Sequence, residues 1–394
     1  MVHGYVHPKF WRVARALETQ LKQSRHGGAA VCVYHHGEKV VDVWGGVRDR
    51  AGTPWNADTM SVSFSTTKGV ISTALHILAD RALVDYDQPV ARYWPEFGQA
   101  GKERITVRQL LCHEAGLYPL RSRIDHVERL LDWPYMTDML ARSTPVHPPG
   151  SANGYHALTF GYLVGEIILR VTGTSLQQML HDEIAAPLDL DGLYIGVPES
   201  ELPRVAQIIP SKQLQRSPDA IKRVLRPLQR ILSAFRAPIN FQRMADALVP
   251  KGIESFDFSA PHVITQPIPA ANGVFTARSL AKLYAALADG GSFGTTKLLS
   301  ETTVQRATEI QNRRIDLVVP IPMYWRLGYH RAVTIRGTIR GGFGHFGFGG
   351  SGAWADPKRR LAVALTLNSG VGSPFGDLRI LRIGAAALAC VRAH

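Results

Sequence analysis

Ser65 and Lys68, set in the run FSTTKGV, are the first residues whose types and spacing can do chemistry. A serine hydroxyl is a weak nucleophile until a base takes its proton, and a lysine three residues further along a helix lies on the same face, one turn away. A helix start adds backbone N–H groups and a positive dipole end, which favour an anionic intermediate and lower the lysine pKa. The pattern is weak alone, because a chain of this length holds about one Ser-x-x-Lys by accident. A second match, Ser279-Leu280-Ala281-Lys282, is present. It falls where Leu280, Leu283, Tyr284 and Leu287 make an ordinary helical core face, so its serine and lysine are expected to be solvated.

Two further segments separate the candidates. Tyr155-His156-Ala157 ends the turn-rich run PPGSANGYHA. A phenol in such a turn can face a cleft, where a nearby ammonium would lower its pKa and let it shuttle protons. Gly344-His345-Phe346-Gly347-Phe348-Gly349-Gly350-Ser351 is a glycine-dense approach to a strand. So many glycines weaken a strand, but they let substrate reach the main chain and its N–H groups.

The elements that must hold these groups divide the chain by texture. Phe10, Val13, Ala14, Leu17 and Leu21 recur at helical spacing. Residues 29–34 and 39–44 read as a hairpin around His35-His36-Gly37-Glu38, and residues 351–357 and 361–368 as two strands around a Pro-Lys-Arg-Arg turn. A final helix is expected over 376–390. Residues 105–111, 159–171 and 280–287 are the clearest helices between. Strands at both ends around a helical middle predict an α+β or α/β fold with one antiparallel sheet. Helices from both chain ends flank it, and an all-helical domain is inserted. The boundaries expected are 1–85 with 265–394 for the sheet domain and 86–264 for the helical one.

Composition narrows the function classes. With 45% hydrophobic residues over 394 positions the chain can bury a substantial core. Cys32, Cys112 and Cys390 are far apart and outside any CxxC pair, and are expected to be reduced and packed. No run of about 18 apolar residues appears and the first residues lack a signal-peptide core, so a cytoplasmic location is expected. The net charge is +13, and between Ser211 and Lys251 nine basic residues face only Asp219 and Asp246. No nucleic-acid signature accompanies them, so nucleic acid is not an expected partner. Instead Ile221, Val224, Leu225, Leu228, Leu232 and Phe235 recur among Lys and Arg, broken at Pro227. That pattern predicts two short helices or a kinked one, either a surface element whose apolar face packs on the core or a basic cover over the cleft that also meets anionic lipid surfaces. Metal-ligand spacings such as HExxH and the GxSxG elbow are absent, and no metal or cofactor is expected.

Taken in order, SxxK, a tyrosine 90 residues later and HxG near the C-terminus, the sequence resembles the serine β-lactamase and penicillin-binding superfamily. Within it, the sequence is similar to the class C β-lactamase-like esterases called family VIII. The segments GAAVCVYHHGEKVVDVWGG, ITVRQLLCHEAGL, FGYLVGEIILRVTGTSLQ, NGVFTARSLAKLYAALADGG and GHFGFGGSGAWADP carry the resemblance from about Gly27 to Ser369. It implies a β-lactamase-like fold with Ser65 as the acylated nucleophile, Lys68 helping to deprotonate it and Tyr155 as acid and base. His345-Phe346-Gly347 would stand where lactamases have KTG, and the N–H groups of Ser65 and Phe348 would form an oxyanion hole. Which of Lys68 and Tyr155 is the first base stays open.

Two departures bear on substrate. Ala157 replaces the Asn of the lactamase YxN motif, and His345, neutral at pH 7, replaces the lysine of KTG. Both losses remove anchors for an acylamino acid. The expectation is a cofactor-free hydrolase of small esters with short or medium acyl chains, with a β-lactamase or DD-peptidase and a silent binding protein as alternatives.

Overall fold

A computed structural model describes residues 1–24, 27–210, 240–370 and 377–391. Seven strands form one antiparallel sheet: β1 (His3–Val6), β2 (Gly28–His35), β3 (Glu38–Gly46), β4 (His330–Thr334), β5 (Gly337–Phe346), β6 (Gly352–Asp356) and β7 (Leu361–Leu367), in the order β1-β3-β2-β7-β6-β5-β4. The sheet is thus closed by pairing β2 from one chain end with β7 from the other, Val33 opposite Val363.

Local chemistry explains the expected hairpin. His36 (φ 53°) and Gly37 (φ 78°) take left-handed conformations between the paired residues His35 and Glu38. Two such residues match the twist of the flanking strands. At the second turn Arg360 (φ 45°) closes Pro357–Arg359 before β7 starts. β1 was not legible: HGYV is four residues long and mostly exposed, and pairs only along β3.

Both faces of the central strands are covered, with a division of residue sizes. Val31, Val33, Val363 and Leu365 pack with Phe10, Val13, Leu17, Ile380 and Ile383, the inner faces of the terminal helices α1 (Trp11–Ser24) and α6 (Arg379–Leu388). The alternate residues Ala30, Cys32, Ala353, Ala355, Ala362 and Ala364 are small and face the other core. Helix α5 (Ala277–Ala288) lies there with Leu280, Leu283 and Leu287. Small side chains on one face let that layer sit close to the strands while larger ones fill the other.

Between residues 46 and 330 come α2 (Thr66–Asp80), α3 (Trp133–Arg142), α4 (Thr159–Thr172) and shorter helical turns, with two-residue strands at Leu193–Tyr194 and Ile209–Pro210. Gly173 in a left-handed conformation (φ 70°) ends α4. The expected basic cover falls mainly on residues 211–239, outside the described residues; of the rest, Phe241–Leu248 is helical. Cys32 and Cys112 are buried as expected and Cys390 is half-buried. Among the described residues no helix is long and apolar enough to cross a membrane.

Candidate active site

Helix α2 is enclosed on all sides: every residue from Thr66 to Leu78 is buried, polar ones included. It runs through the core with its N-terminus at the edge of the sheet. Ser65 is its N-cap residue, yet its hydroxyl makes no capping bond. The backbone takes over that duty, with Thr66 N donating to Ser63 O, Thr67 N to Phe64 O and Lys68 N to Ser65 O. Phe64, just before the serine, holds a left-handed conformation (φ 45°) that costs a non-glycine residue roughly 1 to 2 kcal/mol. Oγ of Ser65 is thereby left free for other partners.

Those partners are the expected ones. Tyr155 Oη donates to Ser65 Oγ at 2.7 Å and Lys68 Nζ lies 3.1 Å from the same oxygen. Nζ also donates to the carbonyls of Ala157 (2.6 Å) and Ala270 (3.0 Å), and sits 4.9 Å from the Tyr155 ring centre. Lys68 is fully buried, and burial holds its pKa well below the usual lysine range. A neutral amine has two N–H groups and one lone pair. Two carbonyls occupy the N–H groups, so the lone pair is left for the Ser65 hydroxyl proton. The expected lowering of the tyrosine pKa is not what the structure gives. Burial pushes the Tyr155 phenol above its ordinary value, outweighing its bond to Ser65.

The glycine-dense segment reaches the same place. A Cβ on Gly347 would come within 2.2 Å of Ser63 O and 2.3 Å of Ser351 Oγ, so only glycine lets the end of β5 meet the nucleophile turn. Ser351 Oγ donates to Ser63 O at 2.9 Å and locks that contact. The N–H groups of Ser65 and Phe348 have no protein acceptor among the described residues. Gly69 allows a second close approach, since a Cβ there would lie 2.1 Å from Tyr284 Oη.

His345 is 2% exposed. Its ring lies 4.8 Å from His330 and 6.2 Å from Tyr155, Nδ1 bonds Phe346 O at 3.1 Å, and Nε2 has no partner among the described residues. Burial depresses its pKa well below the usual value, so the imidazole is neutral. His113, expected to be structural, is buried against Tyr155, Trp325 and His156, and its Nδ1 accepts from His156 N at 3.1 Å.

The second Ser-x-x-Lys is elsewhere; its lysine is partly exposed, but its serine is not solvated as expected. Ser279 is buried, accepting from Gly192 N (3.1 Å) and bonding Asp191 (3.0 Å) in a network at the start of α5. Its lysine, Lys282, lies instead over the Phe293 ring.

One supporting group was not singled out in the sequence. Asp316 is buried and accepts five N–H bonds, from Tyr155 N (3.0 Å), Val318 N (2.8 Å) and Val319 N (2.9 Å) on Oδ1, and from Asn153 Nδ2 and Trp325 Nε1 (both 3.1 Å) on Oδ2. Trp325 in turn stacks on the Tyr155 ring, 5.6 Å between centres at 12°. The carboxylate therefore holds both the backbone of Tyr155 and the plane on which its ring rests. Burial raises the Asp316 pKa above the ordinary carboxylate value, against the opposing pull of its N–H donors, each of which suits a carboxylate acceptor. Its charge adds to burial in raising the phenol pKa. Asp316→Asn sets an NH₂ against the two side-chain donors. It is expected to lower ester kcat/KM by about tenfold or more and to move the alkaline limb of the pH profile to lower pH. Trp325→Phe, which keeps the charge, leaves that limb in place. An unmoved limb in Asp316→Asn would show that the carboxylate acts on packing alone.

A sheet closed from both chain ends, with an uncapped serine at the head of a buried helix, is the architecture of the penicillin-recognising hydrolases. The profile described as "Beta-lactamase" matches residues 13–388, and the chain belongs to the β-lactamase family. It is 42% identical over 372 residues to "Esterase/beta-lactamase LipL" of Mycobacterium tuberculosis, covering 93% of this chain and 83% of that one. Among solved structures, a penicillin-binding protein homologue from Caulobacter crescentus superposes with TM-score 0.85 at 35% identity, over 99% of this chain and 100% of the other. A family VIII carboxylesterase does so with TM-score 0.81, also at 35% identity and with the same coverage.

Proposed function

We propose that this family member hydrolyses carboxylic esters with short or medium acyl chains through an acyl-enzyme on Ser65. The observation that carries the reading is Ser65 Oγ between Tyr155 Oη at 2.7 Å and the buried Lys68 Nζ at 3.1 Å, whose pKa burial holds well below the usual lysine range. Lys68 takes the hydroxyl proton as Oγ bonds to the ester carbonyl carbon. The negative oxygen turns to the N–H groups of Ser65 and Phe348. The proton passes from Lys68 through the Tyr155 hydroxyl to the leaving alkoxide as the C–O bond breaks. Water then replaces the alcohol, gives a proton to the same pair, and releases the acid while Ser65 regains its proton.

The relative named both esterase and β-lactamase raises a lactam reading. Against it stand Ala157, whose carbonyl is held by Lys68, and the buried, uncharged His345, which offers no cation to a substrate carboxylate. The purified protein is therefore expected to turn over a 4-nitrophenyl ester at least about a hundredfold faster, by kcat/KM, than nitrocefin. Equal rates would replace the ester reading by the lactam one.

A further inference from the structure

Four phenyl rings lead away from the nucleophile. Phe348, whose N–H faces the reacting carbonyl in the proposed mechanism, meets Phe64 edge to face at 5.4 Å between ring centres, with its own side chain 39% exposed. Phe64 directly precedes Ser65 and meets Phe258 at 5.5 Å, and Phe258 meets Phe256 at 4.9 Å. One side of this row is anchored, because Phe64 and Phe258 pack on the buried group Met60, Val62, Val197, Ile264 and Val274. All four residues remain partly exposed. The outer end of the row is held in place: Ser259 Oγ donates to Asp257 Oδ1 at 2.6 Å and accepts from Ile208 N at 3.0 Å.

A continuous, partly exposed aromatic row starting beside a nucleophile is apolar surface that a ligand can cover. In the proposed mechanism the leaving alkoxy group takes its proton from Tyr155 Oη and so lies toward that hydroxyl. The other substituent of the carbonyl carbon, the acyl chain, is left the side of the Phe348 and Phe64 rings. We propose that Phe348, Phe64, Phe258 and Phe256 form the acyl-binding wall, and that the preferred substrates carry an uncharged, unbranched or aryl acyl group of medium length lying along it. This rests on the ester reading above and adds the part of the substrate that is read and the residues that read it. Each methylene moved from water onto such a wall strengthens binding by up to about fourfold.

The test is kcat/KM for 4-nitrophenyl esters from acetate to octanoate. In the unaltered protein kcat/KM rises about twofold to fourfold per added methylene over the shorter part of the series. Phe258→Ala lowers the octanoate-to-acetate ratio by about tenfold or more, and Phe258→Leu, which keeps apolar area, restores most of it. Labelling of Ser65 by a small fluorophosphonate reports that each variant is folded. Alkylboronic acids supply a measurement without substitution, their inhibition tightening with chain length. Ser65-dependent turnover with a ratio unchanged in Phe258→Ala, or boronate inhibition indifferent to chain length, overturns the wall and leaves the ester reading standing. No turnover at any length overturns the ester reading and the wall with it.

Discussion

Ser65→Ala is expected to abolish both ester turnover and covalent labelling by a fluorophosphonate, a loss of about 10⁴-fold or more in kcat, whereas Ser279→Ala keeps both. The two serines share the Ser-x-x-Lys spacing but not the surroundings. Ser65 Oγ has no structural duty: it caps nothing, and its two neighbours are the Lys68 amine and the Tyr155 phenol. Ser279 Oγ is occupied by Gly192 N, Thr276 and Asp191. Removing it leaves a buried N–H without its acceptor, so Ser279→Ala should cost about 1 to 3 kcal/mol of stability. Thermal unfolding and labelling measured together separate the outcomes. Turnover retained in Ser65→Ala, with the Ser279 variant inactive though folded, would transfer the chemistry to α5 and end the assignment.

What the sequence made legible follows from how local each signal is. The hairpin was readable because two short apolar runs, AAVCVY and VVDVW, flank the polar turn His35-His36-Gly37-Glu38, and the Ser65-Lys68 pair because one helical turn fixes its geometry. Tyr155 was reached by order along the chain rather than by spacing, since 90 residues separate it from Ser65. Asp316 gave a fainter signal. It lies 161 residues from Tyr155, as the one charged residue of the otherwise apolar run IDLVVP. An isolated carboxylate in an apolar run demands buried donors, and that demand could have flagged it. The donors themselves, Asn153, Trp325 and three backbone N–H groups, are brought together only by the fold.

The misjudged points have a common origin in burial, which no local pattern states. Ser279 was expected in solvent because its helix already had an apolar face; the helix start is enclosed by Asp191 and Gly192, so Ser279 is buried while Arg278 and Lys282 stay partly exposed. The tyrosine was expected to be acidified by an ammonium. The same burial that raises the phenol neutralises the amine, so both groups move toward their uncharged forms together.

That shared shift gives the second large effect. Tyr155→Phe and Lys68→Ala are each expected to lower kcat by about 10² to 10⁴, which is 3 to 5 kcal/mol of barrier at about 1.4 kcal/mol per decade. The tyrosine variant is the cleaner of the two. Phenylalanine keeps the stack on Trp325 and the backbone bond to Asp316, and only the hydroxyl at Ser65 is lost. Lys68→Ala also frees the carbonyls of Ala157 and Ala270, so its stability must be measured beside its rate. The pH profile shows which group does what. Lys68 must be neutral to take the serine proton, so kcat/KM rises with pH as the amine deprotonates, at a midpoint below the usual lysine range. Tyr155 must be protonated to pass that proton on, so activity falls again only above the usual phenol range. In Tyr155→Phe the acid limb should stay where it is and the alkaline limb should vanish, because one group sets each side. An acid limb that moved with the tyrosine, or a kcat within about tenfold of the unaltered protein, would mean that Tyr155 is not the proton carrier and that Lys68 works with water instead.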